Sequence, residues 1–440
     1  MTDLLKRTRL IATGVALAVT LGACGGSIAS LNPFKEREIP LPGERISVMK
    51  PQDSPSIDPA VRAKPVSLPP AKTNMAWSQP GGVASNAPGH LSWSASGATL
   101  WRASAGSGSS SGGRLTASPI VYQGKIFTLD AEGEVAAFSE TSGDRQWRIS
   151  LSPETESGEE GFGGGLAADG GKLFVVTGFG TAVALNTETG EVLWKKSVGA
   201  PIRTSPTAAN GKIFFVTTNS RLFCLSAADG SEVWTFRGLP GKTSLISNVS
   251  PAVSGDTVVV PFTSGDVIAY RISEGKPAWV DSLVRKRGGS SMGALSDPAR
   301  PAIDKGVVFA VGHSGKMVAM TAKSGERLWS QNVRGTQTPW VAGNTVFVVD
   351  INGKLMALTR DTGKIRWITD LPESSRWNGP VLATDKLWLT SAEGVLVGVD
   401  PKTGQIASQV DLDVPVYIAP IVASNRMYIL SDKARLYALN

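Results

Sequence analysis

Ala184-Leu185-Asn186-Thr187-Glu188-Thr189-Gly190-Glu191-Val192-Leu193-Trp194 and Ala357-Leu358-Thr359-Arg360-Asp361-Thr362-Gly363-Lys364-Ile365-Arg366-Trp367 are two copies of one pattern. A small residue precedes an apolar one, a polar turn ends in glycine, and tryptophan follows four residues after that glycine. Working outward, Gly-x-x-x-Trp recurs at Gly97/Trp101, Gly143/Trp147, Gly190/Trp194, Gly230/Trp234, Gly275/Trp279, Gly325/Trp329 and Gly363/Trp367. An eighth copy at Gly404 has Ser408 in place of tryptophan. The copies lie roughly 38 to 50 residues apart, the length of one four-stranded propeller blade.

Other columns keep step with the tryptophan. Nine residues before it stands an apolar residue (Phe138, Leu185, Leu225, Tyr270, Met320, Leu358, Val399), and before that a small one (Ala137, Ala184, Cys224, Ala269, Ala319, Ala357, Gly398). A fixed small residue beside a fixed large one predicts tight packing between sheets. The turn glycine supplies the positive φ that a tight hairpin needs. Upstream in each unit comes a proline (Pro119, Pro206, Pro251, Pro301, Pro339, Pro380, Pro420), then a turn residue and a β-rich run such as Val346-Phe347-Val348-Val349. Proline fits an innermost strand because that strand is an edge.

Each unit therefore reads as strands A, B, C and D, with proline on A and tryptophan on D. Complete A-B-C sets begin near residues 115, 163, 202, 248, 299, 337, 378 and 417. The last lacks a strand D, and a spare one lies at Gly97-Ala98-Thr99-Leu100-Trp101-Arg102. The expectation is an all-β, eight-bladed β-propeller of four-stranded antiparallel blades, closed by an N-terminal strand that completes the last blade. Closure of this kind leaves only short, protected edges.

The N-terminus has a different character. Lys6, Arg7 and Arg9 precede Leu10 to Leu21, a weakly apolar run shorter than the ~20 residues that span a bilayer. Leu21-Gly22-Ala23-Cys24 resembles the lipobox of bacterial lipoproteins. The resemblance implies a signal peptide over 1–23 and acylation of Cys24. Each buried CH₂ of the acyl chains adds about 0.8 kcal/mol of membrane affinity. Gly25, where the inner-membrane rule requires Asp, implies an outer-membrane destination on the periplasmic face. Eight prolines between Pro40 and Pro70 predict an extended tether over 24–73, with the propeller filling 74–440. The net charge of +7 is spread without a long basic tract, which gives no support for nucleic-acid binding.

The repeat resembles the tryptophan docking motif of quinoprotein-type (PQQ-like) propellers over about residues 92 to 440. Within that group, lipobox, tether and eight blades with little else resemble the BamB lipoproteins of the outer-membrane β-barrel assembly (Bam) machinery. The segment Trp77-Ser78-Gln79-Pro80-Gly81-Gly82 and His90 are also similar to the start of such propellers. The resemblance implies a monomer within a hetero-complex, docked on a POTRA domain of the central barrel subunit and acting on nascent outer-membrane proteins.

Chemistry-bearing residues are few. PQQ dehydrogenases use vicinal cysteines, acidic Ca²⁺ ligands and a catalytic Asp. Besides Cys24 this chain has only Cys224, which falls in the small packing column and reads as an inert thiol. His90 and His313 have no partners at metal spacing, and His313 falls in a turn. Gly163-Gly164-Gly165 and Gly288-Gly289 lack the Lys-Ser/Thr of a phosphate loop. Asp304, Asp350, Asp400 and Asp432 stand at strand turns, where an Asx-turn role is expected. No catalytic residue, metal or cofactor is assigned.

Two D-to-A connectors are lengthened, those after Trp234 and Trp279, and they flank the fourth blade. They carry apolar anchors beside basic groups, the mix of a docking patch. The resemblance places the partner contact here. Leu245, Ile246, Ser247 and Asn248 occupy the first connector, where Leu245-Ile246 partly match the family's Leu-x-Leu-Arg and Ser247 replaces its Arg. Leu295 and Asp297 belong to a matching Leu-Ser-Asp in the second. A third connector carries Glu154, Glu156, Glu159 and Glu160 and reads as a solvated acidic loop. Three functions stand against one another: a non-enzymatic scaffold in outer-membrane protein assembly, a PQQ-type quinoprotein enzyme, and a periplasmic propeller that binds cell-wall glycan or another envelope partner.

Overall fold

The computed structural model describes residues 55–154, 161–239, 249–284 and 298–440. Among them eight antiparallel four-stranded sheets form, each in the spatial order A-B-C-D. The first blade holds Ile120–Tyr122, Lys125–Leu129, Glu134–Ser139 and Arg145–Ser150. The eighth combines Ile421–Ala423, Arg426–Leu430 and Arg435–Leu439 with the N-terminal strand Thr99–Ser104. Trp101 faces Ala438 across that junction, and the Asn440 and Gly97 ends exchange backbone hydrogen bonds. The ring thus closes as the strand count predicts.

The small column has a direct cause. Each small residue stands opposite the strand-D tryptophan of its own blade: Ala137 opposite Trp147, Ala184 opposite Trp194, Cys224 opposite Trp234, Ala269 opposite Trp279, Ala319 opposite Trp329 and Ala357 opposite Trp367. On its other side comes a large residue of strand B, such as Phe127, Phe174, Phe214, Phe309 or Phe347. Those phenylalanine rings lie 5.8 to 6.1 Å from the tryptophan rings over the small side chain. A bulge follows the small residue in each blade and turns the chain toward the glycine.

That glycine belongs to the neighbour's tryptophan. A Cβ on Gly230 would lie 2.6 Å from the Trp194 ring, and one on Gly363 would lie 2.5 Å from Trp329. The indole N–H completes each joint. Trp194 Nε1 donates to Ala227 O (3.3 Å), Trp234 to Ile272 O (3.0 Å), Trp279 to Ala322 O (2.9 Å) and Trp329 to Arg360 O (2.8 Å). The apolar core lies between blades: separate clusters join blades one and two, two and three, three and four, four and five, and five and six. Burial of these faces drives ring assembly, because one amphipathic blade has nowhere else to hide its apolar side.

Ser408 breaks the pattern at the seventh blade. There Trp388 takes the strand-B position opposite Gly398 and fills the space over it. Trp93 meets Trp388 edge-on at 4.7 Å and donates Nε1 to Leu439 O. A tryptophan from outside the sheets thereby joins the eighth blade where the repeat tryptophan is missing.

The expected tether is corrected at its end. Residues 58–73 pack on the body rather than hanging free. Asp58 caps the short helix Pro59–Arg62, its carboxylate accepting from Ala60 N (2.8 Å), with Pro59 at the first helical position. Val61 and Val66 are buried, and Arg366 Nη1 donates to Lys64 O (2.7 Å). Proline forbids regular structure but leaves carbonyls free to accept, and the sixth blade supplies the donors. The earlier part of the expected tether lies outside the described residues.

Beyond it, residues 74–94 form a strap that visits every blade. Asn74 accepts Ser424 N of the eighth blade, and Trp77 exchanges bonds with Val121 of the first. Ser78 O accepts Ala168 N of the second, and the Gln79 side chain pairs with the Ala208 backbone of the third. Ala84 O and Ser85 O accept Val253 N and Ile303 N of the fourth and fifth. Gly89 O accepts Trp340 Nε1 of the sixth, Leu91 bonds Leu382 and Thr384 of the seventh, and Ser94 returns to Asn425 of the eighth. The strap satisfies backbone groups that the innermost strands leave open, which a buried edge requires.

Candidate functional site

Because the four strands of a blade alternate in direction, every D-to-A connector leaves at the same end of the ring. This connector face surrounds one mouth of the axial channel. The repeat prolines sit at the root of it: Pro119, Pro206, Pro251, Pro301, Pro339 and Pro420 each immediately precede an innermost strand, and Pro380 alone lies within one, Trp377–Ala383, at its register shift. Strand A therefore loses no ladder hydrogen bond at six of the seven sites. The Pro251 and Pro301 carbonyls both accept from Asn86 Nδ2 of the strap, at 3.3 and 2.9 Å.

The mouth holds a cavity of about 100 Å³ lined by Thr116, Ser118, Arg300, Gln337, Arg376, Tyr417 and their neighbours. Arg300 Nη1 donates to Pro80 O of the strap (3.2 Å), which ties this lining residue to the strap. Burial pulls Arg300 down to about 10. Burial also lowers Arg376, partly offset by Tyr417. A second cavity of about 230 Å³ shares Thr336, Gln337 and Arg376 with the first and extends outward past His313, Asp350 and Trp377.

The six connector residues read as partner-binding, Leu245, Ile246, Ser247, Asn248, Leu295 and Asp297, lie outside the described residues, as does Cys24. So do Glu156, Glu159 and Glu160 of the acidic loop. The structure places the roots of the two long connectors at Leu239 and Val249 and at Val284 and Pro298. Leu239 is 72% exposed, a large apolar side chain presented to solvent beside the first connector.

The remaining candidates find structural places. Cys224 is buried in its packing column, and desolvation pushes its thiol up to about 12. His90 Nδ1 donates to Pro69 O (2.8 Å) and its Nε2 accepts from Asp385 N (3.1 Å), which makes it a latch between strap and seventh blade. Asp350 and Asp400 cap their own turns as expected, accepting from Asn352, Lys354, Lys402 and Thr403 amides. Two others depart from the expected Asx turn. Asp304 pairs with Arg360 of the next blade, and Asp432 accepts from Ser109 Oγ, because both stand where two blades meet. Among the described residues no group of three His, Cys, Asp or Glu side chains is placed to hold a metal. No helix among them is long and apolar enough to cross a membrane.

Sequence reading missed the strap residues Gln79 and Asn86 and the channel arginines. Neither set has a repeat signature: each acts once, in a ring whose signals are periodic.

Comparison with known proteins agrees with this architecture. The sequence profile of the family described as outer membrane protein assembly factor BamB matches residues 89–155, 131–369 and 370–440. A protein of that name from Yersinia pestis is 27% identical over 346 residues, covering 77% of this chain and 88% of the relative. The crystal structure of BamB from Moraxella catarrhalis superposes with a TM-score of 0.67 at 18% identity, over 78% of this chain and 99% of that one. Quinohemoprotein alcohol dehydrogenase from Comamonas testosteroni shares the fold as well, with a TM-score of 0.67 at 13% identity, over 84% of this chain and 81% of that one. With the matched segments running from the strap to the final strand, the chain belongs to the family of the outer membrane protein assembly factor BamB.

Proposed function

We propose that this chain is a lipid-anchored, non-enzymatic docking scaffold in outer-membrane protein assembly. Cys24 carries the acyl anchor that holds it at the periplasmic face of the outer membrane. The body docks on a POTRA domain of the central barrel subunit through the connector face and aids folding and insertion of nascent outer-membrane proteins. The observation that carries this reading is the family match over residues 89–440, joined to an eight-bladed ring in which two D-to-A connectors are lengthened. Buried aromatic joints make the ring rigid, and a rigid support lets connectors bind without a large ordering cost.

The test is recovery of the barrel subunit from detergent-solubilised outer membrane on the tagged full chain. The triple variant Leu245→Ala, Ile246→Ala, Asp297→Ala is expected to lose most of that recovery while keeping its melting temperature. Equal recovery by the variant overturns the docking face. The quinoprotein reading has its own test: saturable PQQ binding and dye reduction in the presence of Ca²⁺ overturn the non-enzymatic one.

A further inference from the structure

We propose that the connector-face mouth of the axial channel binds a small oxyanion, a carboxylate or a phosphate, with Arg376 as its charged ligand and Arg300 as a second cationic wall.

Arg376 lies in the connector between the sixth and seventh blades and lines both cavities at the mouth. Its Nε is buried with no hydrogen-bond partner, and among the described residues no carboxylate pairs with it. The carboxylates of neighbouring loops are engaged elsewhere: Asp350 with the Asn352 and Lys354 amides, Glu393 with Ser374 and Ser375. The residues lining the smaller cavity include no aspartate or glutamate.

A guanidinium does not escape burial by losing its proton, because its intrinsic pKa is too high. Its remaining relief is an anion, and the planar fork matches an oxyanion with two parallel N–H donors. Hydroxyls of Ser118, Thr338 and Tyr417 share the lining and offer further donors to such a guest. A volume near 100 Å³ admits one phosphate or carboxylate group. It is well below the roughly 300 Å³ at which whole small-molecule sites begin. The lowered pKa of Arg376 agrees with a poorly solvated guanidinium at this mouth. The proposal concerns the channel mouth and stands apart from partner docking by the long connectors.

The experiment titrates inorganic phosphate into the full chain in detergent, at constant ionic strength set with chloride. It is followed by ³¹P line broadening and by melting temperature. Saturable broadening and a rise in melting temperature are expected. Arg376→Gln should weaken apparent affinity by about tenfold or more, since one charge-assisted pair is lost. Arg300→Gln serves as an independent second variant and should weaken it as well. Arg334→Gln, on the same face but outside both linings, should change nothing. Succinate in place of phosphate assigns the source, by which of the two displaces the other. Absence of saturation in the unaltered chain overturns the site. Equal loss in Arg334→Gln overturns it too, by showing only diffuse surface charge.

Discussion

The Trp147 indole lies against Gly190 of the next blade so closely that a Cβ on that glycine would stand 2.7 Å from ring atom Cε3. Its N–H reaches on to Thr187 O at 3.2 Å. Glycine is required here twice, by the contact and by a φ of +76°. The two requirements separate by comparison with Gly211, whose φ is +70° but whose Cβ would meet nothing within 4 Å. Gly211→Ala is expected to cost about 1–2 kcal/mol for backbone conformation alone. Gly190→Ala should cost a further 1–3 kcal/mol, roughly, for the blocked joint. Urea denaturation of both variants measures the difference, and equal losses would show that the indole joint contributes nothing.

At the seventh blade the repeat argues for the wrong residue. Restoring the consensus with Ser408→Trp puts an indole where Trp388 already covers Gly398. Overpacking of this kind costs about 1–3 kcal/mol. The variant should therefore melt below the parent, although it brings Ser408 into line with seven other positions. A higher melting temperature would refute the compensating role of the Trp93–Trp388 pair.

Asn86 joins two blades through the strap. Replacing it with alanine leaves the Pro251 and Pro301 carbonyls without the Nδ2 donor. Pro251 O keeps Thr207 Oγ1 as a donor at 2.7 Å, so the loss falls on Pro301 O, at about 1–3 kcal/mol. Amide exchange should accelerate first at Val253 and Ile303, whose acceptors Ala84 O and Ser85 O immediately precede Asn86. Exchange that accelerates evenly round the ring would mean that the strap acts only through global stability.

Cys224 gives a pH prediction. Its thiol is raised in the folded chain, from 9.0 to about 12, by desolvation. The folded form then holds its proton where the unfolded form has lost it, so stability falls as pH rises between about 9 and 12. In a Cys24→Ser chain, a thiol reagent at pH 8 should react only after denaturant is added. Stoichiometric labelling of the native chain would show Cys224 to be open to solvent.

The blades were legible because each column has a physical partner. The alanine column exists because every alanine faces a tryptophan across one strand pair, and the glycine column because seven of its eight glycines receive the neighbour's indole, Gly97 facing the blade where Ser408 replaces tryptophan. Repetition made those constraints visible seven times. The strap had no such help. Gln79 and Asn86 work through a few side-chain bonds each, to backbone groups 89 to 215 residues away. Nothing in local polarity distinguishes them from other polar residues near the start of the propeller. Val61 and Val66 looked isolated for the same reason, since their apolar partners come from the sixth blade and its neighbours. Arg376 sits in a connector without periodicity, and its place at the cavity emerges only when distant connector residues such as Thr116 and Tyr417 are brought beside it.

A strap that meets blades one to seven in sequence order, and the eighth at both its ends, also works as a tally. Repeat proteins drift in copy number, because duplicating or dropping a unit leaves every nearest-neighbour joint intact. Here a ninth blade would find no strap residue waiting, and a seventh-and-last would leave one unmatched. Evolution of this chain by whole-blade gain or loss is thereby blocked unless the strap is rewritten in the same step.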